Sequence, residues 1–164
     1  MRRFNLFDDS LLGVDEDEPD GYRAPYAKVQ HRVGASLLGG TVVLLRQGEA
    51  VCPYHYEQIE EEWLFVLSGT PTVRTRDGER VHEAGDVVCF PRGPAGAHKI
   101  SNAAEAPARI LIVSEHAEVA AAIYEDSDKI GVFGEDLRLL FRRGDAREYW
   151  DGERSTIGDG GHPS

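Results

Sequence analysis

Two cysteines, Cys52 and Cys89, are all that the chain has, so no disulfide framework holds it together. Basic residues are scarce as well, with 18 lysines and arginines against 29 acids and a formal net charge of -11. That balance disfavours a nucleic-acid backbone or an anionic membrane surface as partner. No apolar run approaches the roughly 20 residues that span a bilayer. The N-terminal segment has two arginines, but Asp8-Asp9 interrupts it before a signal-peptide apolar region can form. A cytoplasmic, reduced protein is the expectation. No internal repeat and no second domain is visible. With 41% hydrophobic residues in 164, the chain is long and apolar enough to bury the core of one domain.

What is present is a succession of short β-type runs separated by turn signals. Thr41–Arg46 is β-branched and apolar and ends at Gln47-Gly48, and Val51–Tyr56 is a second extended piece. Glu62–Leu67, Thr72–Thr75, Arg80–His82, Val87–Phe90, His98–Asn102 and Arg109–Val113 follow, with Asp77-Gly78 as a hairpin turn. The rhythm starts at about Val29 and predicts an all-β barrel or sandwich over about residues 28–114. Residues 1–27 read as an acidic arm, either a mobile leader or a segment tacked to the barrel or a partner subunit by Phe4, Leu6, Phe7, Leu11 and Leu12. Residues 115–150 read as a C-terminal extension. In it Glu118–Tyr124 is helix or strand, Asp126–Lys129 a turn, and Leu137–Arg142 a strand that pairs outside the barrel or across a dimer. Residues 151–164 read as a mobile tail.

The chemistry gathers in Gly48–Gly69 and Gly85–Asn102. His55 and Glu57 are two residues apart, so on a strand they project to one face. In Glu60-Glu61-Glu62 the three side chains cannot all point outward. If Glu62 points inward with Leu64 and Val66, then Trp63, Phe65 and Leu67 face away. A carboxylate inside a barrel is costly without a compensating positive charge, which a metal ion supplies. His98 adds a second imidazole. His55, Glu57, Glu62 and His98 are therefore the candidate ligands of one divalent transition metal, with Glu61 the alternative to Glu62. His31, His82, His116 and His162 read as surface or hydrogen-bonded residues. Tyr54, Tyr56 and Cys52 fall on the parity facing away from the metal, and Cys89 reads as a small buried hydrophobe. Asn102 caps a turn. Arg92, on a Gly/Pro-rich loop at the expected barrel mouth, is either a solvated loop residue or a contact for a substrate carboxylate.

These two fragments resemble the paired motifs of the cupin superfamily. The first motif runs glycine, His-x-His, glutamate three or four residues later and glycine after six more. Here Glu62 follows Glu57 after four intervening residues and Gly69 follows Glu62 after six, while Gly48 stands one place early. The second motif is met by Gly85, Pro91, Gly93, His98 and Asn102, with four residues rather than two between Gly93 and His98. Glu57 stands where the motif has its second histidine. The resemblance implies a single-domain double-stranded β-helix, or jelly roll, that holds one metal through three histidines and a glutamate. His55, Glu62 and His98 match that set; Glu57 matches in place only.

If Glu57 ligates, the site is a two-His, two-carboxylate set suited to manganese or iron, with zinc and nickel also compatible. If it turns away, a two-His, one-carboxylate triad remains. In a metal-free pocket Glu57 would serve as a base. The resemblance implies a menu of functions: a metal-dependent enzyme on a small organic molecule (oxygenase, isomerase or other Lewis-acid chemistry) or a non-catalytic binding module. A small-molecule ligand and a homodimer are the partners expected.

Overall fold

The computed structural model describes residues 1–154, so His162 and most of the expected tail lie outside the described residues. The strands are short, and Gly, Pro or Asp-rich turns stop most of them. In chain order they are β1 (Tyr26–Lys28), β2 (Leu38–Leu45), β3 (Tyr56–Glu57), β4 (Glu62–Ser68), β5 (Thr72–Thr75) and β6 (Gly78–Val81). Then come β7 (Val87–Phe90), β8 (Lys99–Ser101), β9 (Ala108–Glu115), β10 (Val119–Tyr124), β11 (Lys129–Gly134) and β12 (Arg138–Arg142). One short helix, α1 (Val29–Val33), follows β1 directly. The strand rhythm expected from Val29 is thus wrong locally: Gly34 takes the left-handed conformation and returns its N–H to Gln30, closing a helical turn.

An antiparallel sheet in the order β1-β2-β9-β4-β7 makes one layer. Its spine is the eight-residue pairing of β2 with β9, from Leu38 opposite Glu115 to Leu45 opposite Ala108. The facing layer has two sheets, β6-β5-β8 and β12-β11-β10-β3. Between them runs the segment from Ala50 to His55, which touches the β8 region through isolated bridges Ala50–Ser101 and His55–His98. The core fills the space between the layers. Leu45, Leu64, Ile110 and Phe90 come from the first, Val73 and Ile100 from the second, and all are buried. Burying such side chains stabilises the fold by about 1.5–3 kcal/mol each. Gly69 closes the first motif because a Cβ there would lie 2.6 Å from the Pro107 carbonyl oxygen and from Ala108 Cα.

Strand alternation in β4 follows expectation: Leu64 and Val66 are buried, whereas Trp63 is exposed. The same alternation corrects the reading of Cys89. Its neighbours Val88 and Phe90 pack inward, so Cys89 is exposed opposite Trp63 on the outer face. The acidic arm is tacked down. Gly13 pairs with Tyr26, the Gly21 carbonyl accepts from the Ala50 N–H, and Arg109, only 6% exposed, donates to Leu6 O and pairs with Asp9. Beyond β9 the chain does not leave the site: β10 pairs with β3, placing Ala122 opposite Glu57. Glu118–Tyr124 resolves as strand, and Leu137–Arg142 yields β12, paired to β11 within the chain. No helix among the described residues is long and apolar enough to cross a membrane.

Leu64→Ala is expected to lower unfolding free energy in denaturant by about 2–5 kcal/mol, and Cys89→Ser by less than about 0.5 kcal/mol. The reverse order would place the core on the wrong face of β4 and β7.

Candidate metal centre

His55 and His98 meet because their backbones form a bridge, with N–H to O distances of 3.0 and 2.8 Å in the two directions. Their rings lie 4.9 Å apart, and both residues are buried. Each imidazole is oriented by its own chain. His98 Nδ1 donates to the Gly96 carbonyl at 2.9 Å, and His55 Nδ1 to the Pro53 carbonyl at 3.1 Å. A carbonyl only accepts, so the proton of each neutral ring sits on Nδ1 and Nε2 presents a lone pair. Gly96 makes the tight loop possible, since a Cβ there would lie 1.8 Å from the Pro91 carbonyl oxygen.

Both Nε2 atoms face carboxylates. Glu62, entering at the start of β4, brings Oε2 to 3.8 Å from His55 Nε2 and 3.6 Å from His98 Nε2. Glu57 lies beside His55, Oε1 to Nε2 3.5 Å. One oxygen of each carboxylate, Glu57 Oε2 and Glu62 Oε2, is buried without a hydrogen-bond partner among the described residues. Orphaned acceptors facing imidazole lone pairs are mutually repulsive unless a cation lies between them. Donor atoms of His55, Glu62 and His98 all lie within 4.8 Å of one another. Ligands on one ion at the usual bond lengths stand about 3–3.5 Å apart, so the widest separation has to close by about 1.5 Å, a movement of under about 1 Å for each side chain. Glu57 lies outside that mutual cluster.

Electrostatics agree with a site built for positive charge. Burial pushes the Glu62 carboxyl up to about 7, against the pull of His55 and with reinforcement from Glu57 and Glu60. Burial and then the neighbouring His55 push His98 down to about 3. Burial also works against charge on His55, but Cys52, Glu57 and Glu62 outweigh it and hold that ring up to about 11. Without a metal, the site's positive charge is therefore a proton on His55.

The other expected residues sit elsewhere. Glu61 accepts from Trp63 Nε1 at 2.7 Å and Glu60 from the Ala117 N–H at 2.9 Å, leaving Glu62 as the acid of this run whose oxygen lies against both imidazoles. Arg92 is exposed and paired with Glu115. It lines a groove of about 390 Å³ with Trp63 and Phe65 on the outer face of the five-stranded sheet, away from the ligand cluster. Tyr54 and Tyr56 pack with Ala97 and Ile123. Asn102 ties its turn to Leu45 O, Ala106 O and the Ala104 N–H. His82 pairs with Asp86, and His31 and His116 are exposed.

Two further residues touch the His55 ring: Cys52, read in the sequence as facing away from the metal, and Tyr124, which that reading did not single out. Cys52 Sγ lies 3.4 Å from His55 Nδ1, and the Tyr124 ring stacks on His55 with centroids 5.7 Å apart. Burial, followed by Cys52 and Glu57, pushes the Tyr124 phenol up to about 12, with Arg138 opposing. Cys52 meets His55 at Nδ1, the ring nitrogen turned away from the carboxylates, as its parity implied. Tyr124 depends on the β3–β10 pairing, for which the sequence has no local signal.

The family model described as Cupin domain matches residues 41–114. Among solved structures, a candidate sugar phosphate isomerase from Acidithiobacillus ferrooxidans is 25% identical with a TM-score of 0.72, over 78% of this chain and 81% of that one. A cupin-superfamily sugar phosphate isomerase from Silicibacter pomeroyi is 22% identical with a TM-score of 0.75, over 85% and 92%. The polyketide cyclase RemF from Streptomyces resistomycificus is 19% identical with a TM-score of 0.57, over 70% and 79%. No curated protein matches.

A divalent ion must displace the His55 proton, so affinity is expected to rise with pH. The rise is about tenfold per unit from about pH 7 to 10, and steeper below about 7, where Glu62 also takes up a proton. Calorimetric titration with Mn²⁺ or Zn²⁺ across that range measures the slope, and a flat profile would contradict this charge assignment.

Proposed function

Given that the chain belongs to the cupin superfamily, we propose that it is a metal-dependent enzyme that moves a proton between adjacent carbons of a small hydroxy-carbonyl compound, an isomerase-type reaction. One observation carries this reading: Glu62 Oε2, buried with no hydrogen-bond partner among the described residues, faces the Nε2 atoms of both imidazoles. His55, Glu62 and His98 would hold the ion, and the carboxylate share of the set favours manganese or iron over copper. A divalent ion bound there would polarise the substrate's carbonyl and hydroxyl oxygens.

Glu57 is then left with a task of its own. It lies at the edge of the cluster, with one oxygen on His55 and the other free. In this role it takes the proton from the hydroxyl-bearing carbon and returns it to the neighbouring carbonyl carbon, acting as base and then acid. The hydroxyl proton passes to the former carbonyl oxygen, so that no atom or charge is gained or lost. Tyr124, stacked on His55, shields that side of the ring from water. Likeness to a candidate sugar phosphate isomerase at 25% identity supports the same class. A second reading rests on the donor count: two histidines and one carboxylate are also the set of non-haem iron oxygenases. Dioxygen consumption by the iron-loaded protein would favour that alternative.

The test is solvent-deuterium exchange into a panel of aldose and ketose phosphates, followed by proton NMR with manganese-loaded protein. Wild type is expected to exchange the proton α to the carbonyl. Glu57→Gln should lose about 10²–10⁴-fold in rate while still binding one metal per chain. Loss of the metal in Glu57→Gln would instead make Glu57 a ligand, and no exchange in any wild-type sample would overturn the reaction class.

A further inference from the structure

The face of β3 that carries Glu57 continues across β10, β11 and β12. Cross-strand partners share a face, so Ala122, Gly131 and Leu140 lie in line with Glu57. Two residues along, Tyr124, Lys129 and Arg142 form the next row, and at the other end Phe133 stands opposite Arg138. The rows are coupled by contact as well as by register. The Phe133 ring lies over Gly131, where an added Cβ would meet it at 2.5 Å and the Tyr124 ring at 3.3 Å. Lys129 Nζ stands 5.6 Å from the Tyr124 ring centre and the Arg138 guanidinium 5.8 Å from that of Phe133.

Three cations thus share one face with the Glu57 carboxylate in a chain of net charge -11. Among the described residues, none of Lys129, Arg138 and Arg142 is in an ion pair, whereas Arg74, Arg76, Arg92 and Arg109 all are. Lys129 and Arg142 are moreover direct cross-strand partners, and like charges in that position destabilise a sheet. An anion between them removes the penalty. Strands lie about 4.8 Å apart, so the Lys129 row sits about 10 Å from His55, within the length of a small phosphorylated or carboxylated molecule.

We infer that Tyr124, Lys129, Arg138 and Arg142 form an oxyanion-binding wall that anchors the charged end of the substrate while its other end reaches the His55–Glu62–His98 cluster. The substrate is then an anionic organic molecule, a phosphate ester or a carboxylate. Lysine and arginine supply charge-assisted donors, and the two rings cover its carbon skeleton. The purpose of the wall rests on the function proposed above; its capacity to bind an anion does not.

The experiment follows inorganic phosphate and, separately, acetate binding to the full-length protein by ¹⁵N NMR, including the arginine Nε–H signals. Metal content is measured on the same samples. Saturable shifts of Arg138 and of the backbone around Tyr124–Gly131 are expected. Lys129→Met combined with Arg138→Met should weaken binding at least about tenfold with metal content unchanged, and Arg138→Lys should restore part of it. Stronger binding of phosphate or of acetate would identify the ester or the acid as the source. No saturable shift with either anion, or equal binding by the double variant, would overturn the wall. Loss of metal from wild type with anion binding intact would overturn the proposed function alone.

Discussion

The molecule is organised around an electrostatic conflict inside its barrel. Two imidazoles have already committed their Nδ1 protons to the Gly96 and Pro53 carbonyls, so they turn lone pairs toward Glu57 and Glu62. Both carboxylates keep one buried oxygen unpartnered. Among the described residues nothing offsets this except a proton on His55, and a cation in the gap would do the same. A stability-driven sequence would place apolar residues there, because removing a buried charge pair in favour of packed hydrophobes is often neutral or stabilising.

Each part of the fold serves to hold those four groups still. The His55–His98 bridge locks two loops together through paired backbone hydrogen bonds. Glu62 leaves β4 on the face that buries Leu64 and Val66, so its direction is fixed by core packing rather than by a flexible loop. Gly69 and Gly96 permit backbone approaches that any side chain would block. The strands after β9 complete the enclosure: β10 supplies the pairing for β3 and places Tyr124 on His55.

Legibility in the sequence followed the range of the interactions. Strand alternation allowed only one of Glu61 and Glu62 to point inward, and the motif and the cost of burying a carboxylate without a cation favoured Glu62. Spacing put His55 and Glu57 on one face, because period two is a local property. Motif spacing also brought His98 to the same place and carried the barrel fold with it. Cys89 was misread because hydrophobic character says nothing about which face of a strand points out, and here its neighbours Val88 and Phe90 take the core. Val29–Val33 was misread because a single helical turn closed by Gly34 is too short to show a period. The role of residues 119–142 was hidden for a different reason. Their pairing with β3 spans more than sixty residues, and only once it is drawn do Tyr124, Lys129 and Arg138 share a face with Glu57.

The central claim is that a metal ion occupies the gap between His55, Glu62 and His98. X-ray absorption at the manganese, iron, nickel and zinc edges, on protein purified without chelator and replenished with metal, tests it most directly. The account predicts a first shell of nitrogen and oxygen donors at about 2.0–2.2 Å with the outer-shell scattering of two imidazoles. A shell of water oxygens without imidazole scattering, or no absorbing ion at all, would contradict it.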